Sequence, residues 1–289
     1  MLGSARALFA ADLDGTLVDR DDRIHPRDRE AIARARREGV VVTIATGRLT
    51  SRTHPVARDL GLDAPLVCAD GGVIACAATE RVLARRAIAT AEVEAILTAM
   101  VGHDLSSFVF THGAIHSCER GRQHHEYVSG WARNITAHSD VLAAEVWRSD
   151  PESTVMLVGI GTDERVRAAC ELLRALDERV ESLSFSTAAG RVVRFVSRGT
   201  SKGTGLADVA RRLGLSAERV AVVGDWFNDV PMLEWAGRSF AMPHAPDSVK
   251  STATDVLPAR TGASGAIADA VEAWLAQLDR DGDDRGDPG

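Results

Sequence analysis

The stretch "ALFAADLDGT" (residues 7–16) decides the fold. Ala7 to Ala11 form a short apolar, strand-like run that ends on a carboxylate, Asp12, with a second, Asp14, two positions on. Side chains two apart on an extended strand face the same side, and a turn at Gly15 lets the two carboxylates take different roles. Open α/β sheets bind their ligands outside the carboxyl ends of the strands, which is where such a stretch delivers its acids.

The neighbouring segments complete a sheet of that kind. "HPRDREAIARARREG" (25–39) reads as a helix, with Pro26 in its first turn, an apolar stripe of Ala31, Ile32 and Ala35, and Gly39 as its stop. "VVVTIA" (40–45) is a continuous β-branched run, the mark of a strand buried on both faces. A helix over roughly residues 50–60 leads to a third strand, "APLVCA" (64–69). Strands alternating with helices mean a parallel sheet.

The rhythm then breaks. Hairpin-like pieces fill residues 72–86, followed by a helix in "TAEVEAILTAMVG" and a hairpin in "SSFVFTHGAIHSC" that turns near Gly113. A strand, a second helix and two strands around Ala188, Ala189 and Gly190 close this α+β stretch. The α/β pattern resumes with the helix "KGTGLADVARRLG" and the strand "RVAVVG" (219–224). A short helix with Pro231 in its first turn and a final helix ending at Leu278 follow. The expected architecture is a Rossmann-like doubly wound parallel core, residues 1–86 and 191–278, with an inserted α+β domain at 87–190. The acidic tail, 279–289, has no apolar residue and is expected to be disordered.

Composition narrows the function classes. At 289 residues two domains are expected, and 45% hydrophobic with 26% charged residues is a globular balance. A net charge of -7 without a basic block argues against a nucleic-acid surface. The four cysteines form no CxxC pair and read as reduced thiols, and no apolar run is long enough for a membrane span or a signal peptide. A cytoplasmic protein, monomer or homodimer, is expected.

Four segments bring polar groups to one edge of the sheet. The first strand delivers Asp12 and Asp14; the second ends in Thr46, Gly47 and Arg48. Lys202 opens a helix, and "VVGDWFNDVPML" (222–233) sets Asp225, Asn228 and Asp229 after a buried strand. The set suits phosphoryl transfer through a covalent intermediate. One carboxylate attacks phosphorus while its neighbour protonates the leaving oxygen and then takes a proton from water. Carboxylates this crowded repel each other and a phosphate, so a hard divalent cation, Mg²⁺, is expected to bridge Asp12, the backbone carbonyl of Asp14, Asp225 and the phosphate. Lys202, Thr46 and the backbone N–H groups around Gly47 and Arg48 are candidate phosphate ligands. Asn228 either donates to phosphate or orients a ligand. Asp229 joins the metal set through water or holds Lys202.

In order and motif by motif, these segments resemble the haloacid dehalogenase-like hydrolase superfamily. "DLDGT" is similar to its first motif, "TIATGR" to the second, Lys202 in "SKGTGL" to the third and "GDWFNDVPML" to the fourth. The resemblance implies Asp12 as nucleophile, Asp14 as acid/base, Thr46 on the phosphate and Asp225 on Mg²⁺. About thirty residues separate Asp14 from Thr46, too few for a further domain, so the insertion lies between Arg48 and Lys202. That placement resembles the Cof-type phosphatases with a type IIB cap, and it implies a sugar phosphate or similar small phosphomonoester as substrate. Two alternatives stay open: a phosphosugar mutase of the same fold and a non-catalytic phosphometabolite-binding protein.

Some residues depart from the family pattern. Asp70 stands where Asn is usual, Pro243 and His244 occupy a stretch where many relatives have Gly-Asn-Ala, and "TGASGAIADA" replaces a late acidic motif. These bear on substrate contacts. Six histidines, His103, His112, His116, His124, His125 and His138, crowd the insertion. They read as exposed surface, as substrate-facing groups or as a zinc site, although no zinc spacing is present. Tyr127, Trp131 and Arg133 either line a leaving-group pocket or pack the insertion. Of Trp226 and Phe227, at least one is expected at the substrate entrance.

Overall fold

The computed structural model describes residues 5–176, 178–259 and 265–283. In chain order the first part holds β1 (Ala7–Ala11), α1 (Pro26–Arg37), β2 (Val40–Ile44), α2 (Thr50–Asp59), β3 (Pro65–Cys68), β4 (Val73–Cys76) and β5 (Val82–Arg85). The middle part holds α3 (Thr90–Gly102), β6 (Ser106–Thr111), β7 (Ile115–Cys118), α4 (His125–Val128), β8 (Ile135–His138), β9 (Thr154–Gly161), α5 (Asp163–Leu172), β10 (Val180–Thr187) and β11 (Gly190–Ser197). The last part holds α6 (Lys202–Arg212), β12 (Val220–Gly224), α7 (Val230–Trp235), β13 (Arg238–Ala241), α8 (Asp247–Lys250), β14 (Asp255–Val256) and α9 (Ala266–Asp283).

The core sheet runs β14-β13-β12-β1-β2, every pairing parallel. A parallel bridge between Ala45 and Val67 extends it to β3, where β4 and β5 continue antiparallel. All five residues of β1 are buried, and their alternation divides them between two layers. Phe9 and Ala11 pack in one apolar cluster with Ile32 of α1 and Val271 and Trp274 of α9. Leu8 and Ala10 pack in the other with Leu206 and Val209 of α6 and Met232 and Leu233 of α7. Helices on both faces make the sheet doubly wound. Asp28, itself buried, accepts the backbone N–H of Ala268 at 2.8 Å, so a side chain of α1 caps the first turn of α9.

A second sheet has the order β10-β11-β9-β6-β7-β8 and is antiparallel except for the pair β7–β8. One face, with Val109, Leu157, Val193 and Phe195, is covered by α3 and α5. The other face, with Phe108, Phe110, Met156, Val158 and Val192, joins the apolar cluster of the core.

Two boundaries differ from expectation. β11 pairs with β10 and β9 through Phe195 and beyond, so the second sheet continues to Ser197 rather than stopping at residue 190. The chain turns tightly at Ala188 and Ala189, which is why the hairpin looks like an end in the sequence although its second strand completes the sheet. The tail also departs from disorder: α9 continues through Asp283, tied by Arg6 to Asp279 at 2.6 Å and by Arg219 to Asp281 at 3.8 Å. Residues 284–289, and part of the "TGASGAIADA" stretch, lie outside the described residues. Among the described residues no helix is long and apolar enough to cross a membrane.

Candidate active site

The site begins where β1 and β12 end side by side. Asp12 still donates its backbone N–H to Val223 O at 3.0 Å, so the ladder carries its carboxylate to the strand end, where it is 5% exposed. The chain then turns at Gly15, whose φ is +82°. A Cβ there would lie 2.8 Å from Asp225 Oδ2, so glycine serves both the turn and the close approach of the second acid. Thr16 Oγ1 donates to Asp225 Oδ1 at 2.6 Å.

After β12 the carboxylate of Asp229 folds back on its own loop. Its Oδ2 accepts the backbone N–H groups of Asp225 and Trp226, each at 2.9 Å. A Cβ on Gly224 would lie 2.6 Å from that of Asp229, which makes the turn possible only for glycine. The other oxygen of Asp229 accepts Lys202 Nζ at 2.6 Å, and the same ammonium donates to Asp12 Oδ1 at 2.6 Å. Lys202, the first residue of α6, is 1% exposed. Of the two readings of Asp229, the contact with Lys202 is the one observed.

Asp12, Asp225 and Asp229 each offer an oxygen within 4.8 Å of the others, and theirs is the one such group of metal-capable side chains among the described residues. Burial, and the repulsion of the neighbouring acids, push the Asp12 carboxyl well up despite Lys202. Burial raises Asp225 likewise, against the hydrogen bond from Thr16. Burial works against the charge of Lys202, but Asp12, Asp229 and Asp70 outweigh it and hold the ammonium above its ordinary range. A hard divalent cation fits this oxygen set, which carries more negative charge than one lysine balances. With both oxygens of Asp229 engaged, Asp12 and Asp225 are the better placed ligands.

Asp14 diverges from Asp12. Its carboxylate is more than half exposed and accepts Arg48 Nε at 2.9 Å and Arg48 Nη2. Arg48 also holds Asp22 at 2.6 Å, so its buried guanidinium is committed to two carboxylates and does not line the cavity above Asp12. The expected phosphate contact is through the backbone N–H groups of this loop, which these side-chain contacts with Asp14 and Asp22 do not address. Gly47 and Asn228 do line the cavity. Thr46 is fully buried, and its Oγ1 accepts the Arg48 N–H at 3.1 Å.

Asp70 and Arg194 were not among the expected site residues. Asp70 sits in the left-handed region, φ 53°, just past β3, and is 3% exposed. It accepts Asn228 Nδ2 at 2.8 Å and Arg194 Nη1, and so ties the loop after β12 to β11 of the second sheet. Burial would raise its carboxyl, but Arg194 and Lys202 hold it below the usual carboxylate range. The sequence marks Asp70 for its bearing on substrate contacts, and it follows a core strand end as Asp12 and Asp225 do. Arg194 lies inside a strand and carries no such signal.

The resulting cavity, about 260 Å³, has an acidic floor on the core strand ends and a roof from the second sheet and Trp131. Trp226 lines it as well; Phe227 stacks edge-on against Trp226 at 5.1 Å but stays outside. None of the six histidines of the middle part lines it. His116 Nδ1 and His138 Nε2 instead meet at 3.0 Å, and His125 meets Ser117 at 2.9 Å. His244 Nε2 lies 3.4 Å from Asp225 Oδ2 at the edge of the floor.

A doubly wound sheet that gathers buried carboxylates and a lysine under a second sheet defines an α/β enzyme. The family model for haloacid dehalogenase-like hydrolases matches residues 9–271, and the chain belongs to that family. It is 28% identical over 253 residues to a pyridoxal phosphate phosphatase of Escherichia coli, covering 86% of this chain and 92% of that protein. A 5-amino-6-(5-phospho-D-ribitylamino)uracil phosphatase of Bacillus subtilis is 27% identical over 269 residues, covering 93% and 95%. Among solved structures, a subclass IIB sugar phosphatase of the same superfamily superposes with a TM-score of 0.76 at 22% identity, over 93% of this chain and 99% of that one. This last likeness concerns the fold.

Proposed function

We propose that the protein is a Mg²⁺-dependent phosphatase that hydrolyses a small phosphorylated metabolite through an aspartyl-phosphate on Asp12. The observation that carries this reading is the buried Asp12–Lys202–Asp229 bridge with Asp225 beside it, opening into a cavity roofed by a second sheet. The relatives named above, phosphatases of small phosphorylated compounds, support it. We read the second sheet with its helices, from residue 87 to about Ser197, as a cap on the core.

In this reading Mg²⁺, held by Asp12 and Asp225, supplies positive charge against the phosphate oxygens. An Asp12 oxygen forms a bond to phosphorus as the bond from phosphorus to the ester oxygen breaks. Asp14 lines the cavity but is held by Arg48 as a carboxylate. In the acid role it therefore takes up a proton, leaves that contact and gives the proton to the departing oxygen. Water then attacks phosphorus and passes a proton to Asp14, the bond to Asp12 breaks, and phosphate leaves. Lys202 remains an ammonium throughout and offsets charge on Asp12 and the phosphate. Gly47 and Asn228 line the phosphate seat.

The direct test is Asp12→Asn, with phosphate release from an aryl phosphate measured in Mg²⁺ and after chelation. Release should vanish in the variant and in chelator, return to the wild type on adding Mg²⁺, and leave the thermal melt of the variant cooperative. A variant that keeps its activity sinks the nucleophile assignment.

A further inference from the structure

The roof of the cavity differs in kind from its floor. Met156 and Val158 of β9, Leu183 and Phe185 of β10 and Val192 of β11 all line it, a consequence of strand alternation and register. Phe185 stands opposite Val192 and Leu183 opposite Arg194, while the intervening Ser182, Ser184 and Ser186 are exposed. Trp131 and Trp226 add two indole rings at the sides. Among the described residues, Arg194 is the one charged side chain that the second sheet gives the cavity, and its guanidinium lies on Asp70.

The polar side-chain groups that the roof and the two indoles offer are therefore donors. Arginine and tryptophan have N–H groups and no acceptor. Acceptor oxygens come from the core side, from Asp14, Asp70 and Asn228, and those of Asp70 each already accept one hydrogen bond, from Asn228 and Arg194. A polyol brings several O–H groups that each need an acceptor, and each one left unpaired against the roof weakens its binding. A flat ring brings apolar faces for Phe185 and the indoles, and any polar atoms on it that accept rather than donate suit Arg194 and Trp131. The volume, about 260 Å³, is below the ~300–1,000 Å³ range of drug-sized sites and suits one ring system beside the phosphate.

We infer that the leaving group is a planar or apolar ring alcohol, so that the substrate is the phosphate ester of a ring with few or no hydroxyl donors rather than of a polyhydroxylated sugar. This rests on the phosphatase reading above. The test compares benzyl phosphate with glucose 6-phosphate, both esters of primary alcohols, by kcat/KM on the full-length enzyme in Mg²⁺. Benzyl phosphate should be preferred by about tenfold or more. A ratio of one or less overturns the inference. Phe185→Ser, on the half-buried strand β10, should lower the ratio by about tenfold, and an unchanged ratio also counts against it.

Calorimetric titration of Asp12→Asn with the same two esters separates this inference from the reading beneath it. If the wild type hydrolyses neither ester and releases no phosphate from the aryl phosphate, the phosphatase reading fails. Tighter binding of benzyl phosphate by the variant then still supports the ring class, and tighter binding of glucose 6-phosphate overturns it.

Discussion

The floor and the roof of the cavity are held by different forces. On the floor, Asp12, Lys202 and the loop of Asp225 and Asp229 come from three separate segments. They are joined in a buried layer by the ion pairs of Lys202 with Asp12 and Asp229 at 2.6 Å and by hydrogen bonds of 2.6 to 2.9 Å around Asp225. The roof is a sheet face whose side chains meet the cavity by area, without directed contacts apart from Arg194. Charge pairs in a buried layer fail when one member is lost, because the partner is left uncompensated. Apolar contacts lose only in proportion to the area removed. On the proposed reading the chemistry would sit where substitution is least tolerated, and substrate choice where it is most tolerated.

The harshest test of that contrast is Lys202→Met, which keeps the stem and removes the charge. With Asp12 and Asp229 left facing each other, phosphate release should fall by about 10²–10³-fold, and the urea midpoint should drop with it. A variant with near-normal activity would mean that the floor does not depend on its charge balance.

The joint between floor and roof comes next. Arg194→Met leaves Asp70 buried without its main cation and should cost about 3 kcal/mol in urea unfolding. Replacing Asp70 as well should recover part of that loss, which a double-mutant cycle measures. Simple additivity would show that the two side chains do not act as a pair.

The smallest effect is in the pH dependence of that joint. The Asp70 carboxyl is held below its ordinary range in the folded protein, so its stabilisation is present above the unfolded value of about 3.9 and is lost as pH falls towards the folded value. The stability difference between wild type and Asp70→Asn should be full at pH 7 and shrink steadily below about pH 4. A difference that grows on acidification would reverse the sign and remove Arg194 as the cause.

Much of the core was legible because its signals are local. The apolar runs at 7–11, 40–44 and 220–224 are strands, and the acids that follow two of them meet. Gly15 and Gly224 are explained by the carboxylates beside them. What escaped the sequence depended on partners distant along the chain. The guanidinium of Arg48 is held by Asp14 and Asp22, a pairing the sequence does not announce. The histidine cluster left surface, substrate and metal readings open, and none of the six lines the cavity, His116 meeting His138 and His125 meeting Ser117 instead. The end of α9 looked too polar to be helical, and ion pairs to Arg6 and Arg219 accompany its last turns.

By itself the sequence determined the order of strands and helices, the parallel core and the acids and lysine at its strand ends, because hydrophobic period and turn residues act over a few positions. Only the tertiary structure decided which of those groups are bonded to one another, that Asp70 and Arg194 join the two sheets, and that the surface above Asp12 is apolar. Those outcomes depend on β-register and on side chains more than a hundred positions apart, as Asp70 and Arg194 are, and no local pattern encodes such distances.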